Sequence, residues 1–160
     1  MKIAFVCDWL NGMRGGERCL EAVCELYPDA DIFTLVHLPG AVSQTIESHK
    51  IQTSYIQRLP GNIRAFRRYL ALFPNAAQKF DLSGYDLVLS FSHCVAKSVK
   101  APPNIPHICY CFTPMRYAWH MRSQYLNEFS RVKKWAAEVM LDHLKKWDRK
   151  TSSSPTTSMP

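Results

Sequence analysis

The segment that most constrains the fold of this 160-residue chain is residues 106–119. Within it, residues 108–112 form a short, almost entirely apolar run, which is typical of a strand buried on both faces of a parallel sheet. The run ends abruptly at a polar and aromatic stretch that contains Pro114. The pattern predicts a buried strand that leads into a functional loop.

The residues just after this predicted strand are candidates for binding a ligand. Ligands of parallel α/β sheets lie beyond the carboxyl ends of the strands. Thr113, Arg116 and Tyr117 would place a hydroxyl, a guanidinium and a phenol at that edge. The alternative is that Pro114 only turns the chain and that Arg116 points into solvent.

Strand-like and helix-like patterns alternate along the first 150 residues. Apolar runs typical of buried strands occupy residues 2–9, 31–36, 51–56, 86–91 and 108–112. Amphipathic spacing typical of helices occupies residues 17–26, 63–73 and 131–150. The alternation predicts an α/β fold with a doubly wound parallel sheet, and the length fits one domain. The Ser-, Thr- and Pro-rich residues 151–160 are predicted to be disordered.

The positive charge of the chain, formally +7, is concentrated in two regions. Residues 48–80 contain no acidic residue, and residues 131–150 carry seven Lys or Arg against three acidic residues. Such patches attract the phosphates of nucleotides, lipid headgroups or nucleic acids. Arg64, Arg67 and Arg68 form a candidate membrane or acceptor patch, and a solvated helix face is the alternative.

The cysteines do not indicate disulfides or a metal site. Cys109 and Cys111 have the spacing of a strand, and the sequence contains no Cys-x-x-Cys pair. No stretch approaches the ~18 consecutive apolar residues of a membrane span, and the start lacks the pattern of a secretion signal. We therefore expect a cytoplasmic protein without a bound metal or other cofactor.

Two glycines and a histidine are further candidates for ligand contact. Gly15 and Gly16 lie between the first predicted strand and the next helix, where free N–H groups favour an anion. Their spacing from Gly12 differs from Gly-x-Gly-x-x-Gly, which argues against a nicotinamide enzyme. His93 follows another predicted strand and could hydrogen-bond a hydroxyl or phosphate group. The alternatives are a tight turn at the glycines and a histidine used in packing.

Four stretches occur in the order in which one enzyme family has similar motifs. They are residues 1–17 (MKIAFVCDWLNGMRGGE), 85–97 (YDLVLSFSHCVAK), 109–119 (CYCFTPMRYAW) and 147–149 (WDR). Together they resemble the amino-terminal half of family 4 glycosyltransferases, especially mannosyltransferase-like members of bacterial polysaccharide pathways. The likeness covers about residues 1–150, and four ordered motifs are more specific than a glycine loop alone.

The resemblance implies that residues 1–150 are the acceptor-side, amino-terminal domain of a retaining enzyme with two Rossmann-like domains, the GT-B fold. Such an enzyme transfers a hexose, for example mannose, from a nucleotide diphosphate sugar to a polysaccharide or lipid-linked acceptor, without a tightly bound metal. The expected partners are a weakly bound nucleotide sugar, the acceptor and the inner face of an anionic membrane. No nucleic-acid partner is expected. No donor-binding domain is recognised after residue 150. We therefore expect a truncated or frameshifted product that is inactive alone.

The family pattern also implies roles for single residues. Gly15 and Gly16 would approach the diphosphate, and His93 matches a histidine of the same motif. Phe112 stands where similar proteins generally have a histidine that contacts the transferring sugar, and a phenyl ring has neither donor nor acceptor. His120 stands where a carboxylate often follows. No residue is assigned a catalytic role.

Two other functions remain open at the level of the sequence. The basic patches could serve a non-catalytic binding module for anionic lipid or nucleic acid. A small stand-alone hydrolase has less support, because the sequence shows neither a nucleophile elbow nor the spacing of a catalytic triad.

Overall fold

A computed structural model describes residues 1–61, 65–113, 119, 126, 131–151, 155 and 157–159. Six strands in this part form one sheet: β1 (Ile3–Cys7), β2 (Asp31–Thr34), β3 (Ile51–Thr53), β4 (Leu87–Ser92), β5 (His107–Cys111) and β6 (Thr157–Met159). The strand order is β3-β2-β1-β4-β5-β6, the order of a Rossmann sheet, and every neighbouring pair is parallel. The predicted doubly wound α/β fold is confirmed.

Helices lie on both faces of this sheet. The described α-helices are α1 (Gly15–Leu26), α2 (Gln44–Glu47), α3 (Phe73–Ala77) and α4 (Arg131–Thr151). Short 3₁₀-helices occupy Tyr55–Arg58, Phe66–Leu72 and Ala96–Ser98. The α-helix predicted over residues 63–73 is thus a 3₁₀-helix followed by α3, and residues 62–64 lie outside the described part. Pro74 fits the first turn of α3, where its missing N–H is tolerated.

Strand β1 is buried on both faces, as its continuous apolar sequence predicts. Phe5 packs with Leu20 of α1 on one side, which we call the α1 face. Val6 packs with Leu141 and Leu144 of α4 on the other side, the α4 face. Burial of both faces explains why the strand lacks the polar alternation of a half-exposed strand.

Strand β5 differs from the prediction on one face. His107 and Cys109 are buried, but the side chain of Tyr110 is 41% exposed. An apolar pattern does not distinguish a ring that packs in the core from one that faces a cavity. Tyr110 is of the second kind, because it lines the cavity described below.

The predicted disorder of residues 151–160 is wrong at residues 157–159. They form β6, whose register with β5 pairs Ile108 with Thr157 and Tyr110 with Met159. Thr151 is the last residue of α4. The backbone of β6 hydrogen-bonds to the edge of β5, and these bonds do not depend on apolar side chains. A Ser/Thr-rich segment can therefore form this strand although its sequence lacks the apolar pattern of one.

All six cysteines are free thiols. Burial raises the pKa of Cys24 to about 12 and that of Cys109 to about 11, so both remain protonated at neutral pH. In the described residues, no group of three or more His, Cys, Asp or Glu is arranged to hold a metal ion. None of the helices in those residues has the length and hydrophobicity of a membrane span.

Candidate functional site

A cavity of about 550 Å³ opens at the carboxyl edge of the sheet. Its volume lies within the range of small-molecule sites. Described residues that line it come from the end of β1, the start of α1, the turn after β4, the end of β5 and the 3₁₀-helix before α3: Trp9, Arg14, Gly15, Gly16, Glu17, Cys19, Arg67, His93, Tyr110, Phe112 and Thr113. The structure thus brings Gly15, Gly16, His93 and Thr113 together around one space.

The first turn of α1 forms one wall of this cavity. Gly15 and Gly16 begin the helix, and the backbone N–H of Arg14 donates to Oε2 of Glu17 at 3.0 Å. The next N–H groups have no acceptor within the helix, and the helix dipole makes this end favourable for an anion. A Cβ placed on Gly15 would have no neighbour within 4 Å, so the cavity reaches the backbone there.

Phe112 packs directly on Gly16. A Cβ added to Gly16 would lie 3.4 Å from Cε2 of Phe112. The Phe112 ring also contacts Tyr110, with ring centroids 4.9 Å apart and an angle of 59° between the planes. The two side chains form an aromatic wall next to the start of α1, and the family resemblance leads us to expect a histidine at position 112.

His93 lies on the cavity wall between β1 and β4. Its side chain is 31% exposed, and its ring meets Trp9 edge-on at a centroid distance of 4.4 Å. Ring atom Nδ1 lies 3.3 Å from Oδ2 of Asp8, whose side chain is fully buried. The ring is therefore packed between Trp9 and Asp8, and His93 lines the cavity.

Asp8 is a residue that the sequence did not single out. Its carboxylate accepts hydrogen bonds from the backbone N–H groups of four consecutive residues, His93, Cys94, Val95 and Ala96, at 2.6 to 2.9 Å. Four donors around one carboxylate satisfy a buried charge without a cationic partner. The one available signal was an acidic residue near the end of the apolar run predicted as the first strand, residues 2–9.

Charge around the cavity is mostly positive among the described lining residues. Arg14 donates from Nη1 to Oδ1 of Asn11 at 3.0 Å, and Arg67 is exposed with its guanidinium carbon 5.7 Å from the Phe66 ring centroid. Glu17 is buried and already accepts the Arg14 N–H. Two guanidinium groups and a helix start thus face a space suited to an anion.

The candidate patch of three arginines is only partly described. Arg67 belongs to the cavity wall, Arg68 is exposed, and Arg64 lies outside the described residues. Arg116, Tyr117 and His120 also lie outside the described residues.

Thr113 lines the cavity, and its Oγ1 is buried without a hydrogen-bond partner among the described residues.

A buried ionic contact supports the site from the α4 face. Nζ of Lys97 lies 2.8 Å from Oδ1 of Asp148, and Nε1 of Trp119 donates to Oδ2 of Asp148 at 2.9 Å. The cations of Lys145 and Arg149 lie 4.4 Å and 4.9 Å from the Trp119 ring centroid. Asp148 thereby joins α4 to the turn after β4 and to the segment after β5.

Comparison with known proteins gives one distant structural similarity. No family model and no curated protein matches this sequence. The chain is similar to the apo form of a lipopolysaccharide outer core galactosyltransferase, WaaB, with 19% identity and a TM-score of 0.40. The alignment covers 68% of this chain and 32% of that one, so the chain spans about a third of the length of that protein.

Proposed function

We propose that the chain is the acceptor-side, amino-terminal domain of a retaining glycosyltransferase. The complete enzyme would transfer a hexose, such as mannose, from a nucleotide diphosphate sugar to a polysaccharide or lipid-linked acceptor. One observation carries this proposal. Residues from three separate stretches that resemble family 4 glycosyltransferases, namely Gly15 with Gly16, His93, and Phe112 with Thr113, line a single cavity at the carboxyl edge of the sheet.

The cavity fits the chemistry that such a ligand requires. A diphosphate would lie against the first turn of α1, within the field of Arg14 and Arg67. The apolar faces of Tyr110 and Phe112 suit the C–H face of a hexose, and His93 and Thr113 offer polar contacts. Each of these groups would bind or orient the ligand. Catalysis would also require groups that stabilise the sugar cation and the leaving diphosphate in the transition state.

The first test is binding of UDP-glucose, UDP-galactose and GDP-mannose by titration calorimetry. We expect weak binding of at least one of them, and a loss of roughly tenfold in affinity for Arg67→Gln, because a charge-assisted contact to phosphate is lost. Lys50→Gln is the matched control, since Lys50 is an exposed cation at β3 with a side-chain exposure of 71%. Equal effects of the two substitutions, or no binding by the parent, would contradict the proposal.

The same samples should show no measurable sugar transfer. In family 4 enzymes a second domain supplies most of the donor site, and half of a site cannot orient donor and acceptor together. Turnover similar to that of a complete glycosyltransferase, measured as release of UDP or GDP, would show that residues 1–160 suffice for catalysis.

Gly15→Ala should increase the stability of the chain and weaken its binding of nucleotide sugar. No atom within 4 Å would meet the added methyl group, and alanine favours a helix over glycine, so we expect the free energy of unfolding to rise by about 0.5 kcal/mol. The methyl group would nevertheless enter the space proposed for the diphosphate. We therefore expect weaker nucleotide-sugar binding in calorimetry and a higher midpoint in urea. Unchanged affinity would place the phosphates elsewhere.

The alternative, a binding module that uses its basic patches, makes a different prediction. Its cations would need to face a membrane or nucleic acid, whereas Arg67 lines the cavity and the Lys145 and Arg149 cations contact Trp119. Salt-sensitive binding to anionic vesicles or oligonucleotides, without any binding of nucleotide sugar, would favour this alternative.

A further inference from the structure

We propose that Asn11 is a positioning residue of the cavity, which holds the guanidinium of Arg14 for a phosphate group and, being uncharged, leaves its positive charge intact. The contact between the two side chains lies within the chain itself. The identity of the phosphate as part of a nucleotide sugar rests on the proposed function.

The loop between β1 and α1 is fixed on either side of Asn11. The N–H and the carbonyl of Leu10 are hydrogen-bonded to the backbone of residues 36–38, at 2.9 Å and 2.8 Å. Sδ of Met13 accepts the backbone N–H of Ser43 at 3.3 Å. Because both sides of the loop are tied to the segment after β2, the backbone that carries Asn11 has a defined position.

The side chain of Arg14 folds back over this loop. Its Nη1 donates to Oδ1 of Asn11 at 3.0 Å. A Cβ placed on Gly12 would lie 3.7 Å from Nη1 and 3.8 Å from both Cζ and Nη2 of Arg14. Such nearly equal distances mean that one flat face of the guanidinium packs on the glycine. The group is therefore held by one hydrogen bond and one packed face, which leaves its other N–H groups for a ligand.

The absence of negative charge in this contact favours binding of an anion. Within the described residues, Arg14 forms no ion pair with a carboxylate, and Glu17 accepts only its backbone N–H. An amide oxygen aligns the guanidinium without adding charge, whereas a carboxylate in its place would oppose the field that attracts a phosphate. Arg14 lines the cavity, and a planar guanidinium matches the oxygens of a phosphate group.

The contact can be measured without any ligand, as the order parameter of each arginine Nε–H bond from ¹⁵N relaxation. We expect a higher value for Arg14 than for Arg18, an exposed residue of α1 whose side chain has no hydrogen bond or ion pair in the described part of the chain. Asn11→Leu should lower the Arg14 value toward that of Arg18. The melting temperature should change little, because the lost bond is exposed.

Equal order parameters for Arg14 and Arg18 in the parent would overturn the proposal, whether or not any ligand binds. An Arg14 value that Asn11→Leu leaves unchanged would also overturn it, because the guanidinium would then be held without the amide.

Inorganic pyrophosphate is the probe for the anion, with affinity measured by titration calorimetry. We expect Arg14→Gln and Asn11→Asp each to weaken its binding roughly tenfold, and Asn11→Leu roughly threefold. Asn75→Asp is the matched control for the added charge. Asn75 is exposed and does not line the cavity, and its Oδ1 also accepts one hydrogen bond, from Tyr55 Oη at 3.0 Å. We expect this control to change the affinity less than about twofold.

The double variant separates positioning from direct contact. In the Arg14→Gln background, Asn11→Leu should have no further effect on pyrophosphate affinity. An undiminished threefold loss there, equal effects of Asn11→Asp and Asn75→Asp, or no pyrophosphate binding by the parent would overturn the proposal. Pyrophosphate binding with the expected losses, but without binding of any nucleotide sugar, would support the role of Asn11 and contradict only the proposed function.

Discussion

Replacing Asp8 with alanine is expected to lower the free energy of unfolding by about 3–5 kcal/mol, because the buried N–H groups of residues 93–96 would lose their acceptor. Each such donor costs about 1–3 kcal/mol when it is left unsatisfied, and water entering the gap would recover part of the sum. Urea unfolding followed by circular dichroism measures the change.

Asp86→Ala is the matched control for this substitution. Asp86 is exposed, and its Oδ2 accepts a single backbone N–H, that of Lys2, at 2.6 Å. We expect a loss below about 1 kcal/mol there. Similar losses for Asp8→Ala and Asp86→Ala would show that the four-donor arrangement adds little to the stability of the turn after β4.

Lys97→Met is expected to cost about 3–5 kcal/mol of stability, because it removes the ammonium group that lies 2.8 Å from the buried carboxylate of Asp148. The side chains of Lys97 and Asp148 are only 7% and 3% exposed, so solvent cannot replace the lost partner. The methionine keeps most of the apolar volume of the lysine, which isolates the charge as the cause. The measurement is again the shift of the urea midpoint at constant slope.

Two controls accompany this prediction. The Lys50 side chain is 71% exposed, and its Nζ lies 3.9 Å from Oδ2 of Asp31. We expect Lys50→Met to change the free energy of unfolding by less than about 1 kcal/mol. Lys97→Met combined with Asp148→Leu should recover part of the loss, because an apolar pair avoids the cost of burying charge, while Nε1–H of Trp119 loses its acceptor. If Lys97→Met is as mild as Lys50→Met, the contact does not hold α4 to the turn after β4.

The fold was predictable because its signals are local. The alternation of apolar runs and amphipathic spacing marks each of the first five strands, and the parallel order follows from helical connections between them. The rule that ligands bind at the carboxyl edge directs attention to residues that follow the strands, and Gly15, His93 and Thr113 line one cavity there. These inferences need only the neighbours of each residue along the chain.

Contacts between distant parts of the chain were not predictable. Asp8 and His93 meet because β1 and β4 are adjacent, although 85 positions separate them. Phe112 rests on Gly16 because the ends of β1 and β5 reach the same edge of the sheet on either side of β4, and Lys97 meets Asp148 across the α4 face. A lone aspartate after a strand or a lysine in a turn has the same local pattern whether it is buried or solvated.

Binding at the cavity is tested most directly by an NMR titration of the ¹⁵N-labelled chain with the nucleotide sugar that binds in calorimetry. We expect the largest amide shifts at Gly15, Gly16 and Thr113, with saturation at one dissociation constant, and little change at Gln52 in β3. Shifts confined to the basic residues of α4, or spread over the surface without saturation, would contradict a glycosyltransferase-like site at the carboxyl edge of the sheet.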